Sequence, residues 1–142
     1  MNRVLVRLVI GLLLLAAGSA AVAQAGGARE EGPGDGAAAE DLTVYRDPQR
    51  LLELIENPPA DFHLVDARTP EEFASGHIPG SVNIDYRDLA SSPPAEERDA
   101  LIIVYCRTGR RSGIGVQVLE ELGYTRVLNW GGVVHWPFEL VR

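Results

Sequence analysis

The sequence predicts an α/β protein in which a parallel sheet carries helices on both faces. Three observations lead there. Apolar runs rich in β-branched residues recur along the chain, the plainest being Leu101-Ile102-Ile103-Val104-Tyr105. Segments with helical apolar spacing, such as Val116, Leu119 and Leu122, lie between them. Strand and helix alternate, the pattern of a parallel sheet covered on both sides. With 142 residues, 46% of them hydrophobic, the chain can build one domain with a real core but not two ordinary ones.

Each element has a local reason. Leu42-Thr43-Val44 reads as a short first strand. Asp47 and Pro48 are an N-cap and a first helical residue, followed by Leu51, Leu52, Leu54 and Ile55 at helical spacing. Asn57-Pro58-Pro59 stops that run. Phe62-His63-Leu64-Val65-Asp66 reads as a buried strand. Thr69-Pro70-Glu71-Glu72 is a helix start with a capping box, and Gly76 ends the helix. Ser81-Val82-Asn83-Ile84 reads as a second buried strand. Ser91 to Asp99 is a polar loop with a helical turn expected after Pro94. Leu101 to Tyr105 is the central strand. A helix is expected over Ser112–Leu122, stopped by Gly123. Val127-Leu128 suggest a last strand, and Gly131-Gly132 a turn into a short helix around Val133 to Trp136.

The first 23 residues read as a signal peptide. Arg3 and Arg7 precede an apolar run, Leu8 to Ala17, and Ala21-Val22-Ala23 suits cleavage. The run is short for a membrane span, so stable insertion is not expected once it is cleaved. Residues 24–41, rich in Gly, Ala and acid, read as a disordered linker, and 42–142 as the domain. The expected location is periplasmic or secreted. The net charge of −7, more negative still without Arg3 and Arg7, argues against nucleic acid as a partner.

Export makes the lone cysteine informative. A single cysteine forms no intrachain disulfide, so Cys106 is a reactive thiol, an intermolecular partner or an inert buried residue. Its neighbours favour the first. Cys106-Arg107-Thr108-Gly109-Arg110-Arg111-Ser112 puts the sulfur at the carboxyl end of the central strand, where such sheets bind ligands. A helix mouth follows, with unpaired N–H groups and a positive dipole. Those N–H groups and three arginines favour the nucleophilic thiolate. Gly109 permits a tight curl that gathers N–H donors into an anion-binding nest. Ser112 is expected to cap the helix and donate a hydrogen bond inward.

At these residues the chain resembles the single-domain rhodanese-like sulfurtransferases, over about Leu42 to Trp136. One motif is Val65-Asp66-Ala67-Arg68, then Glu71-Glu72-Phe73, then Gly76-His77-Ile78-Pro79-Gly80-Ser81-Val82-Asn83-Ile84. The other is the loop Cys106 to Arg111, close to a C-x-x-G-x-R form. The resemblance implies a three-layer α/β/α fold with a five-stranded parallel sheet. It implies sulfur transfer from a small anionic donor such as thiosulfate, through a Cys106 persulfide, to cyanide or a thiol, including an exported thiol protein. Arg110 and Arg111 would attract the donor and steady the leaving sulfite. Asp66 would accept hydrogen bonds that fix the loop, and Arg68 would pair with Glu71 or Glu72. No metal or organic cofactor is implied. His77 reads as part of a structural turn, and Trp130 and Trp136 as packing residues, with Trp130 also a candidate for the pocket rim.

Two other readings compete. Rhodanese-like domains also serve as non-catalytic binding modules, but these usually lack the cysteine. Cysteine phosphatases and arsenate reductases share the cysteine loop, but the phosphatase loop needs an arginine where this chain has Ser112.

Overall fold

The computed structural model describes residues 39–142. The signal segment and most of the linker read from the sequence lie outside the described residues. Within them, four parallel strands form one sheet in the order β2-β1-β3-β4. These are β1 (Phe62–Asp66), β2 (Val82–Asn83), β3 (Leu101–Cys106) and β4 (Arg126–Gly132). The helices are α1 (Pro48–Glu56), α2 (Pro70–Ser75) and α3 (Arg110–Glu121), with 3₁₀ segments at Leu42–Arg46 and Val133–His135.

The three-layer α/β/α architecture follows from β3, which is buried along its whole length. Leu101, Ile103 and Tyr105 face one core with Leu51 and Leu54 of α1. Ile102, Val104 and Cys106 face the other with Leu119 of α3. A strand alternates its side chains between faces, so a strand apolar throughout needs a helix layer on each side.

The first expected strand is instead the 3₁₀ segment. Asp41 accepts hydrogen bonds from the Thr43 backbone N–H (3.0 Å) and hydroxyl (2.6 Å), curling the chain before it can extend. The sheet therefore has four strands, not five. Asp41 and Glu40, both read as linker, are held in place: Glu40 accepts from the Arg126 guanidinium at 2.6 Å. The caps of α1 and α2 match expectation. Asp47 caps α1, and Thr69 with Glu72 closes the capping box of α2. β2 is only two residues long and lies at the sheet edge with Val82 exposed, so it is not the buried strand expected. The segment after Pro94 forms bends and turns, with no helical turn.

At the end of β1 a buried pair ties the upstream motif together. Arg68 sends Nε to Asp66 Oδ1 (2.9 Å) and Nη2 to Oδ2 (2.6 Å). The same Nη2 donates to the Gly76 carbonyl at 2.7 Å. Asn83 Nδ2 reaches the carbonyls of Asp66 and Arg68, joining β2 to the motif. Arg68 thus pairs with Asp66, not with Glu71 or Glu72. The turn after β1 folds the guanidinium fork back onto the carboxylate two residues earlier. Asp66 is consequently occupied by Arg68 and does not fix the cysteine loop.

Removing one partner of a buried pair leaves an uncompensated charge. Arg68→Ala is expected to lower unfolding stability by about 3–5 kcal/mol in a urea titration. A loss of under about 1 kcal/mol would show that the pair is no anchor.

Candidate active site

Cys106 is the last residue of β3, one place earlier relative to the strand end than the sequence suggested. Its residue is 1% exposed. Three residues on, the chain has already turned back, and the Gly109 backbone N–H donates to Cys106 Sγ at 3.0 Å. Gly109 makes that turn with φ of 102°, the left-handed region open to glycine at little cost, and stands as the N-cap of α3. It offers no side-chain cap, so the first turn of α3 keeps N–H groups for the sulfur.

Ser112 is not the cap. It sits inside the first turn of α3, fully buried, with Oγ 3.4 Å from Sγ. Burial pushes the Cys106 thiol up. Hydrogen bonds from the Ser112 hydroxyl and from the backbone N–H groups of Ser112, Thr108 and Gly109 outweigh it, and the thiol lies below its ordinary value.

The loop is closed from outside by β4. Gly132 passes so near that a Cβ there would come within 2.7 Å of the Thr108 Cα and nearer still to the Arg107 carbonyl oxygen. Gly131-Gly132 are therefore strand residues laid against the loop, not the expected turn. A bulge opposite Val104/Tyr105 shifts the register so that Cys106 pairs with Gly132. The Val134 N–H donates to the Arg107 carbonyl at 3.4 Å.

One site residue escaped the sequence reading. Asn129 Oδ1 accepts from Ser112 Oγ at 2.8 Å and from the Gly131 N–H at 3.0 Å, while Nδ2 donates to the Gly109 carbonyl at 3.1 Å. The signal for it was period-two alternation. Continuing the strand past Val127-Leu128 to Gly132 places Asn129 on the face of Val104, where α3 packs.

The three arginines have separate fates. Arg107 and Arg110 are exposed. Arg111 is gripped by Glu72, with Nη1–Oε2 at 2.6 Å and Nη2–Oε1 at 2.8 Å. Glu72 also accepts from the Thr69 N–H, so the capping box of α2 anchors the first turn of α3. Hydrogen bonds from Arg111, opposed by partial burial and helped by Thr69, hold Glu72 down at about 2. Trp130 lies in the core on the face of Tyr105, edge-to-face with Trp136 at 5.8 Å, and does not form a pocket rim. His77 stacks on Phe73 with ring centroids 3.6 Å apart, in keeping with a structural turn.

The parallel α/β sheet thus delivers one buried, hydrogen-bonded thiol to the mouth of a helix. The model of the rhodanese-like domain matches residues 47–137, and the chain belongs to that family. It is 36% identical over 75 residues to thiosulfate sulfurtransferase PspE of Escherichia coli, covering 50% of this chain and 70% of that protein. It is 34% identical over 95 residues to thiosulfate sulfurtransferase GlpE of Pseudomonas aeruginosa, covering 67% of this chain and 80% of that one. Among solved structures, a rhodanese-like domain protein of Staphylococcus aureus superposes with a TM-score of 0.57 at 27% identity, over 66% of this chain and 92% of the other.

Two outcomes test this geometry. Gly132→Ala has no room for its methyl against loop backbone, so the variant is expected to lose the low Cys106 pKa, read by the pH dependence of alkylation. An unchanged profile would show that the loop tolerates displacement. The Glu72 pair has a defined pH window. Its folded pKa of about 2 lies below the ordinary 4.5, so its stabilisation is present above 4.5 and is lost as pH falls towards 2. Acid unfolding of Glu72→Gln should show a shallower loss of stability across that window than the parent. Parallel curves would mean the pair contributes nothing.

Proposed function

We propose that this chain is a sulfurtransferase of the rhodanese type in which Cys106 carries the sulfur and thiosulfate is a donor. The observation that carries the reading is the 3.0 Å contact from the Gly109 N–H to Cys106 Sγ at the mouth of α3, in a chain with a single cysteine. The donor follows from the names of the Escherichia coli and Pseudomonas aeruginosa relatives.

In this reading the Cys106 thiolate attacks the outer sulfur of thiosulfate. The new Sγ–S bond forms as the sulfur–sulfur bond of the donor breaks, and sulfite leaves with the bonding pair. Cyanide or a thiolate then attacks the outer sulfur of the persulfide, and Cys106 leaves as the thiolate. The N–H groups of Thr108, Gly109 and Ser112 that lower the thiol pKa also suit the negative charge of a persulfide. Arg107 and Arg110, exposed on the loop, would draw the anionic donor and steady sulfite. Arg111 is engaged by Glu72, so its part is to seat the first turn of α3. That engagement also weighs against phosphate-monoester chemistry, which needs a loop arginine available to the anion. The charged and apolar pattern of residues 1–23 supports export, with an exported protein thiol as one acceptor.

Incubation with thiosulfate and cyanide is expected to yield thiocyanate, and Cys106→Ala to yield none. Intact-mass analysis after thiosulfate alone should find one added sulfur on Cys106. A chain that neither turns over nor takes up sulfur from any donor would be a binding module of the same fold.

A further inference from the structure

The Ser112 hydroxyl has one proton and more acceptors than it can serve. Asn129 Oδ1 is 2.8 Å from Oγ, the Gly109 carbonyl 3.1 Å, and Cys106 Sγ and the Gly131 carbonyl 3.4 Å each. The orientation of the Asn129 amide is determined by its other partners. The Gly131 N–H can only donate, and the Gly109 carbonyl can only accept, so Oδ1 faces the former and Nδ2 the latter. It is therefore the amide oxygen that meets Ser112. The nearest acceptor of the hydroxyl is an amide carbonyl, and the sulfur stands behind it in the queue.

We propose that Asn129 is a positioning residue that competes with Cys106 for the Ser112 proton, so that the hydroxyl rests on Asn129 while the sulfur is a thiol and turns to the sulfur when it becomes a thiolate. A thiol is a weak acceptor and loses to an amide oxygen. A thiolate makes a charge-assisted bond and wins. The rotation of one C–O bond is enough, because both acceptors lie within reach of the same Oγ. Asn129 keeps the Gly131 N–H throughout and leaves no orphaned group when the hydroxyl departs. Ser112 thereby stabilises the ionised sulfur only by the difference between two hydrogen bonds, and Asn129 sets that difference.

The charged groups around the sulfur stay constant while it titrates. Arg111 of α3 interacts with Cys106, and its charge is matched by Glu72 of α2 and by Asp85 after β2. Glu72 and Asp85 both lie below the ordinary carboxylate range. Among the described residues, β4 presents neutral groups to the loop: Asn129, Gly131 and Gly132. The proposal rests on Cys106 as the nucleophile of the reaction above, but its test needs no sulfur donor.

The test is a cycle in which Ser112→Ala is introduced beside Asn, Asp and Leu at position 129. The rate of Cys106 alkylation by iodoacetamide is followed against pH. In the parent, Ser112→Ala should slow alkylation below the thiol pKa by about fivefold, the difference between a charge-assisted and a neutral hydrogen bond. Beside Asn129→Leu, where the hydroxyl has lost its nearest competitor and keeps only the Gly109 and Gly131 carbonyls, the same change should cost more than in the parent, about tenfold. Beside Asn129→Asp, whose carboxylate holds the proton even against a thiolate, it should cost about twofold or less. An equal cost in all three backgrounds, or a smaller cost beside Leu than beside Asn, would overturn the proposal and leave Asn129 a scaffold residue. Asn129→Asp keeps the side-chain shape, and its lost bond to the Gly109 carbonyl and its added charge are present with and without the serine, so the cost of Ser112→Ala in the Asp and Asn arms decides the matter if the Leu variant fails to fold. Thiocyanate turnover of the parent, measured separately, reports on the sulfurtransferase reading alone.

Discussion

Everything at the site depends on β3 being buried on both faces up to and including Cys106. A strand clamped between two apolar cores has no freedom to shift its register, because a slip of one residue would send every side chain to the wrong face. The sulfur thus sits at a determined height on the α3 side of the sheet. The loop must then bring backbone N–H groups back to that point within three residues. Gly109 makes the curl possible, and the absence of a side chain at Gly132 lets β4 close over it.

The second ordering influence is the way charge is partitioned. The chain is acidic overall, yet three arginines cluster in seven residues around the thiol. Burial alone would raise the thiol, and neutral donors overcome it: backbone N–H groups and one hydroxyl. The arginine nearest the helix turn is neutralised by Glu72, which makes it a strut between α2 and α3. Arg107 and Arg110 remain at the surface, exposed to solvent. In the proposed reaction, activation of the sulfur and capture of the donor would fall to different groups.

The upstream motif has a role the cysteine loop conceals. Asp66 and Arg68 form a closed pair that also holds the Gly76 carbonyl, and Asn83 bridges from the edge strand to both of their carbonyls. Tyr105, beside the cysteine in sequence but on the opposite face, accepts from the Ile78 N–H at 3.0 Å and meets Ser81 Oγ at 2.9 Å. The Gly76–Asn83 segment is thus bound to the same two strands that carry the site. It stabilises the platform without touching the sulfur.

The α/β class, the central strand, the caps of α1 and α2, the thiol and its loop were all legible in the sequence. Each rests on local chemistry: periodicity, capping residues, and a glycine between a cysteine and a helix. Partner choice was not legible. The sequence pointed Arg68 to Glu71 or Glu72, and the turn after β1 gave it Asp66 instead. Leu42-Thr43-Val44 has strand-like residues, and a three-centre cap from Asp41 overrode them. Asn129 belongs to the site only because a parallel crossover lays β4 beside β3 and α3. Residues near in sequence interact through rules the sequence displays. Residues brought together by sheet order interact through distances that exist only once the chain has folded, and there the competition for a single hydroxyl proton was decided.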